Sequence, residues 1–236
     1  MDAIIYNNLF ETKGQEYLII IAFFIVLIFF WFVINKKTDV VIKINEAIGN
    51  LTARIQNIPQ GLFYSRTHTW AFLEESGNAR IGLNDFLATV IGNVKINMLK
   101  APGESINKGE VLAEMYQGDK RLEIASPITG AIIKTNPTAI GNPNALFNDP
   151  YSKGWLCAVK PTQWKADTNS FLLANDASKW MLGEIDRFKD FLAVSLARYS
   201  SEPALPTLQE GGEIRPHVLD DMDKEIWGDF QRSFLS

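Results

Sequence analysis

Residues 110–135 read EVLAEMYQGDKRLEIASPITGAIIKT. The runs EVLAEMY, RLEIA and GAIIKT are β-like, and QGD and SPITG interrupt them, so the stretch reads as strands joined by turns. Gly118-Asp119 suits a two-residue primed turn, which places Lys120 at the start of the descending strand. The same rhythm continues outward on both sides, with ARIGL and GNVKINML before and WLCAVKP after, separated by APGES, NKG and NPTAIGNPN. Regularly spaced strands of this kind predict a small all-β sandwich or barrel over residues 62–161. Within it, Leu83 to Ile91 (LNDFLATVI) predicts one short helix, with Asn84 as its cap.

Towards the N-terminus, Tyr17 to Ile34 (YLIIIAFFIVLIFFWFVI) is an uncharged apolar run of 18 residues. As a helix at about 1.5 Å per residue it is roughly 27 Å long, close to a bilayer core, which predicts a transmembrane helix within residues 1–37. A cleaved leader is disfavoured, because Asp2, Glu11, Lys13 and Glu16 stand where a basic start belongs and no small-x-small site follows. Only Lys13 precedes the run, whereas Lys36, Lys37, Lys43 and Arg54 follow it. The positive-inside bias therefore puts the N-terminus outside and the bulk of the chain in the cytoplasm, as a single-pass inner-membrane protein in contact with lipid. Residues 38–61 carry Val41, Ile44, Ile48, Leu51 and Ile55 at helical spacing, ended by Pro59 and Gly61, which predicts an amphipathic connecting helix.

Beyond Pro161 the pattern turns helical. Asp176 to Tyr199 (DASKWMLGEIDRFKDFLAVSLARY) sets Trp180, Ile185, Phe188, Leu192 and Leu196 on one face of a helical extension, 162–199. The prolines and glycines of 200–216 predict a linker. Residues 217–236 then carry Met222, Ile226, Trp227, Phe230 and Phe234 as a helical stripe. A helix so short does not hold itself, so the stripe is expected to dock on another subunit. The fold class read from the sequence is α+β, a β barrel-sandwich between an N-terminal membrane helix and C-terminal helices.

Composition narrows the chemistry. A net charge of -4 and no long basic run argue against nucleic acid as a partner. The single cysteine, Cys157, lies in a predicted strand and reads as a buried structural thiol. His68 and His217 are far apart, so no metal site is expected. There is no phosphate-binding glycine loop and no serine elbow, so no catalytic set is assigned and the chain is not read as an enzyme. His68 is expected to pack or hydrogen-bond beside Trp70. Asp220, Asp221, Asp223 and Glu225 read as a solvated acidic face or a match for a basic groove.

The β region resembles the glycine cleavage system H protein, a lipoyl-bearing carrier related in fold to biotinyl and lipoyl domains. YSRTHTW at Tyr64 to Trp70 is similar to that family's Y-x-x-x-H-x-W opening. IGLNDFLATVIGNV is similar to its G-I-T-x-x-A-x-x-x-L-G-D-V stretch, and NKGEVLAEM to its K-K-G-D strand. SPITGAIIKTN and NPNALFNDPYSKGWLCAVKP are similar to its S-P-V-S-G-E-V-V-x-V-N and N-P-x-L-x-N-x-D-P-Y-G-x-G-W-L segments. The resemblance covers less than half of the chain and implies a barrel-sandwich hybrid fold whose hairpin tip displays a lysine, in the context E-S-V-K-A, that carries lipoate.

Sixteen residues separate Lys108-Gly109 from Ser126-Pro127, as in the family, so the carrier position falls on Asp119 and Lys120 stands one residue late. Side chains alternate faces along a strand, so one residue of displacement redirects the group. The expectation is a lipoate-free domain without cofactor, acting as an accessory or scaffold subunit of an inner-membrane complex, respiratory or otherwise redox. Its partners would be integral-membrane and cytoplasmic subunits. Two alternatives stand beside it: a membrane-tethered lipoyl carrier using Lys120, and a periplasmic adaptor of an efflux or secretion system.

Overall fold

The structure, a computed structural model, describes residues 9–35, 58–142, 146, 148–199 and 217–236. The chain divides into two compact units, Met1–Lys43 and Ile44–Ser236.

In the first unit, helix α1 (Leu9–Asn35) contains the apolar run. From Tyr17 to Trp31, where its side chains are described, every residue is exposed. That stretch is about 22 Å long at 1.5 Å per residue, and among the described residues no helix is long and apolar enough to cross a membrane. The apolar sequence itself continues to Ile34. Of the expected connecting helix, residues 38–57 lie outside the described residues, as does the linker 200–216.

The second unit is built on antiparallel strands. A six-stranded sheet has the order β1-β2-β3-β9-β8-β5 and a three-stranded one the order β4-β6-β7. The strands are β1 (Phe63–Tyr64), β2 (Thr69–Leu73), β3 (Ala79–Leu83), β4 (Lys95–Met98), β5 (Ser105–Ile106), β6 (Val111–Gln117), β7 (Lys120–Ala125), β8 (Gly130–Thr135) and β9 (Trp155–Pro161). Alternation sets what faces inward: on β7, Leu122 and Ile124 are buried while Arg121 points out. On β6 a register shift between Val111 and Ala113 lets Leu112 and Ala113 both turn inward.

Short helices close the ends. Helix α2 (Asp85–Ile91) begins as the sequence predicts, with Asn84 Oδ1 accepting from Leu87 N at 3.0 Å. Helices α3 (Pro137–Gly141) and α4 (Trp164–Thr168) follow, the first capped by Asn136. The long helix α5 (Ala174–Tyr199) packs Ala177, Met181, Ile185 and Phe188 into the same core as the sheets. A 3-10 turn (Val218–Asp221) and helix α6 (Lys224–Phe234) end the chain.

The interior is filled by Trp70, Tyr64, Phe86, Leu87 and Ile91, all fully buried. Trp70 Nε1 donates to Leu83 O at 2.8 Å, and its ring occupies the space above Gly82 that any side chain there would fill. Cys157 is buried in β9, and burial pushes its thiol up to about 12, in keeping with a structural role.

Candidate functional site

The hairpin β6–β7 forms as the local sequence dictates. Gln117 pairs with Lys120, leaving Gly118 and Asp119 as the two-residue turn. Gly118 alone has a left-handed φ, +62°, the feature of a turn with glycine at its first central position. Asp119 therefore occupies the apex. Its side chain is 75% exposed, with its carboxylate 4.0 Å from Lys224 Nζ.

Lys120 does not extend from that apex. Its Nζ donates to the backbone carbonyl of Asp220 at 2.7 Å and to Gln117 Oε1 at 3.2 Å. The same ammonium lies 5.6 Å from the centroid of the Trp227 ring, a cation–π contact on a desolvated face. Both Asp220 and Trp227 belong to the C-terminal segment, a hundred residues further along the chain.

That segment grips the domain by several contacts at once. His217 N donates to Thr89 O at 2.7 Å, at the end of α2. The Asp220 carboxylate accepts from Asn93 N at 3.1 Å and from Gln117 Nε2 at 2.9 Å, and it fills the space over Gly92, where a Cβ would collide with it. Trp227 is fully buried and donates through Nε1 to Leu219 O at 2.7 Å. Gln231 completes the edge of the small sheet: its Oε1 accepts from Glu123 N at 2.8 Å and its Nε2 donates to Glu123 O at 3.2 Å. A side-chain amide thus imitates a neighbouring strand on β7.

The apolar stripe of α6 faces the same way. Ile226, Trp227, Phe230 and Phe234 are buried, and Met222 is half-buried against the core. The Phe230 and Phe234 rings stack at 4.8 Å, and Phe234 meets Phe188 of α5 at 5.8 Å. The expectation that this stripe docks on another subunit is corrected here. The α2–hairpin face and α5 together offer an apolar surface within the chain, and α6 covers it. Asp220 likewise leaves the solvated acidic face expected for it.

His68 sits in a left-handed turn, φ +60°, with its ring fully buried. Its Nδ1 is 3.1 Å from Asn84 Nδ2 and its Nε2 is 3.3 Å from Glu184 Oε2. The ring stacks on Trp180 at 4.9 Å and lies 4.6 Å from Phe86. Burial, outweighing the partnership with Glu184, holds this imidazole below its ordinary value of 6.5. The histidine packs as expected, although its neighbours come from α2 and α5. Among the described residues no group of three His, Cys, Asp or Glu side chains is placed to hold a metal ion.

The glycine cleavage H-protein family matches residues 62–184, just over half of the chain. The chain belongs to that family. A probable glycine cleavage system H protein of Thermococcus gammatolerans is 27% identical over 124 residues, covering 52% of this chain and 92% of its own length. The glycine cleavage system H protein of Methylococcus capsulatus is 32% identical over 107 residues, 45% of this chain and 84% of its own. A crystal structure of such a protein from Mycobacterium marinum superposes with a TM-score of 0.46 at 24% identity, covering 52% of this chain and 98% of that one.

The H-protein match runs past Pro161, so α4 and the first part of α5 lie within the matched residues. The lipoate that the family resemblance implies needs a lysine amine projecting from the hairpin apex. The residues present do not fit it: the apex residue is Asp119, and the adjacent amine is held against the C-terminal segment. Sequence reasoning missed Gln117, Gly92, Asp220 and Gln231 as the parts of this grip. The one local signal was Gly92-Asn93, a pair that suits the end of a helix.

Proposed function

We propose that this H-protein-like domain serves as a non-catalytic accessory or scaffold subunit of an inner-membrane complex, respiratory or otherwise redox, without carrying lipoate. The observation that carries this reading is the hairpin: an aspartate at the apex and a neighbouring lysine whose ammonium is engaged by Asp220 O, Gln117 and Trp227. A carrier works by swinging a free arm, and this geometry supplies none.

The tether is the apolar run 17–34, which continues as helix α1 and presents its side chains from Tyr17 to Trp31 to the surroundings. Extended to Ile34 it matches a bilayer core. The basic residues that follow it support an external N-terminus and a cytoplasmic domain. Because α6 is engaged by the domain itself, partner subunits are expected along α1 and the outer faces of the sheets.

The reading is tested by purifying the full chain in mild detergent from a lipoylation-competent cell. Intact-protein mass is expected to equal that of the bare chain, with integral-membrane subunits co-purifying. A lipoyl increment on the Lys120 peptide would replace this reading with that of a membrane-tethered carrier, which Lys120's place beside the apex favours.

A further inference from the structure

We infer that the C-terminal segment 217–236 is an intramolecular shield of the Lys120 amine, whose grip withholds it from acylation. The inference rests on the reading of Lys120 as unmodified. Three observations carry it. Lys120 Nζ has two of its N–H donors committed, to Asp220 O at 2.7 Å and Gln117 Oε1 at 3.2 Å, and its open side is covered by the Trp227 ring. Gln117 is itself fastened, by Nε2 to Asp220 Oδ1 at 2.9 Å, so the acceptor does not follow a departing lysine. The apex beside it is open, with Asp119 75% exposed.

Acylation requires the amine nitrogen to lose a proton to water and attack an activated carbonyl carbon. The C–N amide bond forms as the leaving group departs with its electron pair. An amine held by two acceptors under an indole ring must first be released.

The test is lysine labelling of the folded full chain with N-hydroxysuccinimidyl acetate, in which N-hydroxysuccinimide leaves, read peptide by peptide against exposed Lys224. Lys120 is expected to label roughly tenfold more slowly or beyond, the factor one charge-assisted hydrogen bond supplies. In Trp227→Leu, which removes the aromatic cover while keeping apolar filling, and further in Trp227→Leu combined with Asp220→Ala, which also frees Gln117 from its fastening, the Lys120 rate is expected to rise towards that of Lys224. A lysine introduced by Asp119→Lys is expected to label as fast as Lys224 in the full chain. Equal rates at Lys120 and Lys224 in the unaltered chain overturn the shield and leave the scaffold reading standing. A Lys120 that stays slow in both clasp variants, each verified as folded, overturns it too, as does a slow lysine at position 119. A lipoyl mass on the protein as isolated from cells overturns the scaffold reading and the shield together.

Discussion

Helices α1 and α6 both carry large apolar side chains outside the β domain's sequence, and periodicity invites the same account of both, a surface awaiting a partner. They end differently. In α1 the large apolar residues from Tyr17 to Trp31 are 44% to 73% exposed. In α6 the apolar residues form one stripe, and Ile226, Trp227, Phe230 and Phe234 are at most 2% exposed. A stripe leaves a polar face for solvent, so a single groove satisfies it, and this chain provides one between the hairpin, α2 and α5. A helix apolar on every side is satisfied by no single groove; it needs a medium or a bundle.

The largest effect expected from breaking this contrast is at Trp227. Trp227→Ala removes a fully buried ring and its bond to Leu219 O, and is expected to cost about 3–5 kcal/mol of domain stability. The loss is read as a shift of the urea midpoint, with membrane association unchanged. An unaltered midpoint would return α6 to the status of a free docking helix.

On the other side of the contrast, Ile25→Arg places a charge near the middle of the apolar run and is expected to cost about 2.5–3.5 kcal/mol of insertion. Carbonate extraction of membranes should move the chain from pellet to supernatant while the domain's urea midpoint stays where it was. If the variant remains fully membrane-bound, α1 is held by protein and not by lipid.

What was legible in the sequence was whatever is decided locally. The runs GAIIKT and WLCAVKP predict β8 and β9 to the residue, Gly118-Asp119 predicts its turn, and Asn84 its cap, because alternation, turn chemistry and capping act within a few residues. The family resemblance was legible in the same way, as ordered blocks. The C-terminal grip was not. Its bonds join Lys120 to Asp220, Asn93 to Asp220 and Glu123 to Gln231, each across a hundred residues or more. Periodicity shows that a face is apolar and says nothing of what covers it, and the acceptor for Lys120 is a backbone carbonyl, which every residue possesses. The two-residue strand β5 was missed because two residues carry no alternation.

A smaller effect separates the two helices by pH. His68, with Asn84, Glu184, Phe86 and Trp180 around it and Phe234 at 6.1 Å, has its folded value below 6.5. Well above 6.5 the imidazole is neutral whether the chain is folded or not, so it contributes no pH dependence there. As pH falls below 6.5 the unfolded chain takes up the proton first, and stability declines down to the folded value. Arg187, which meets Glu184 at 3.0 Å and covers the Phe234 ring at 4.2 Å, ties this site to the end of α6. Melting temperature is therefore expected to fall between pH 7 and pH 5.5, roughly the range in which an ordinary histidine titrates. The fall should be shallower in His68→Asn, a residue that tolerates the left-handed turn. Equal slopes in the two proteins would remove His68 from the account.

The smallest effect tests what kind of contact holds α6. Gln231→Ala deletes both bonds to the backbone of Glu123 but leaves every buried ring in place. Both backbone groups of Glu123 lie on the edge strand β7, where water replaces the lost partner, so the net cost is expected to be about 1 kcal/mol. The greater consequence is expected in self-association, because an uncovered strand edge pairs with other edges. Light scattering at rising concentration should show it in the variant and not in the parent chain. Were Gln231→Ala to cost as much as Trp227→Ala, the helix would be held by strand imitation at the sheet edge, and α6 would no longer differ from α1 as a stripe buried for its apolar surface.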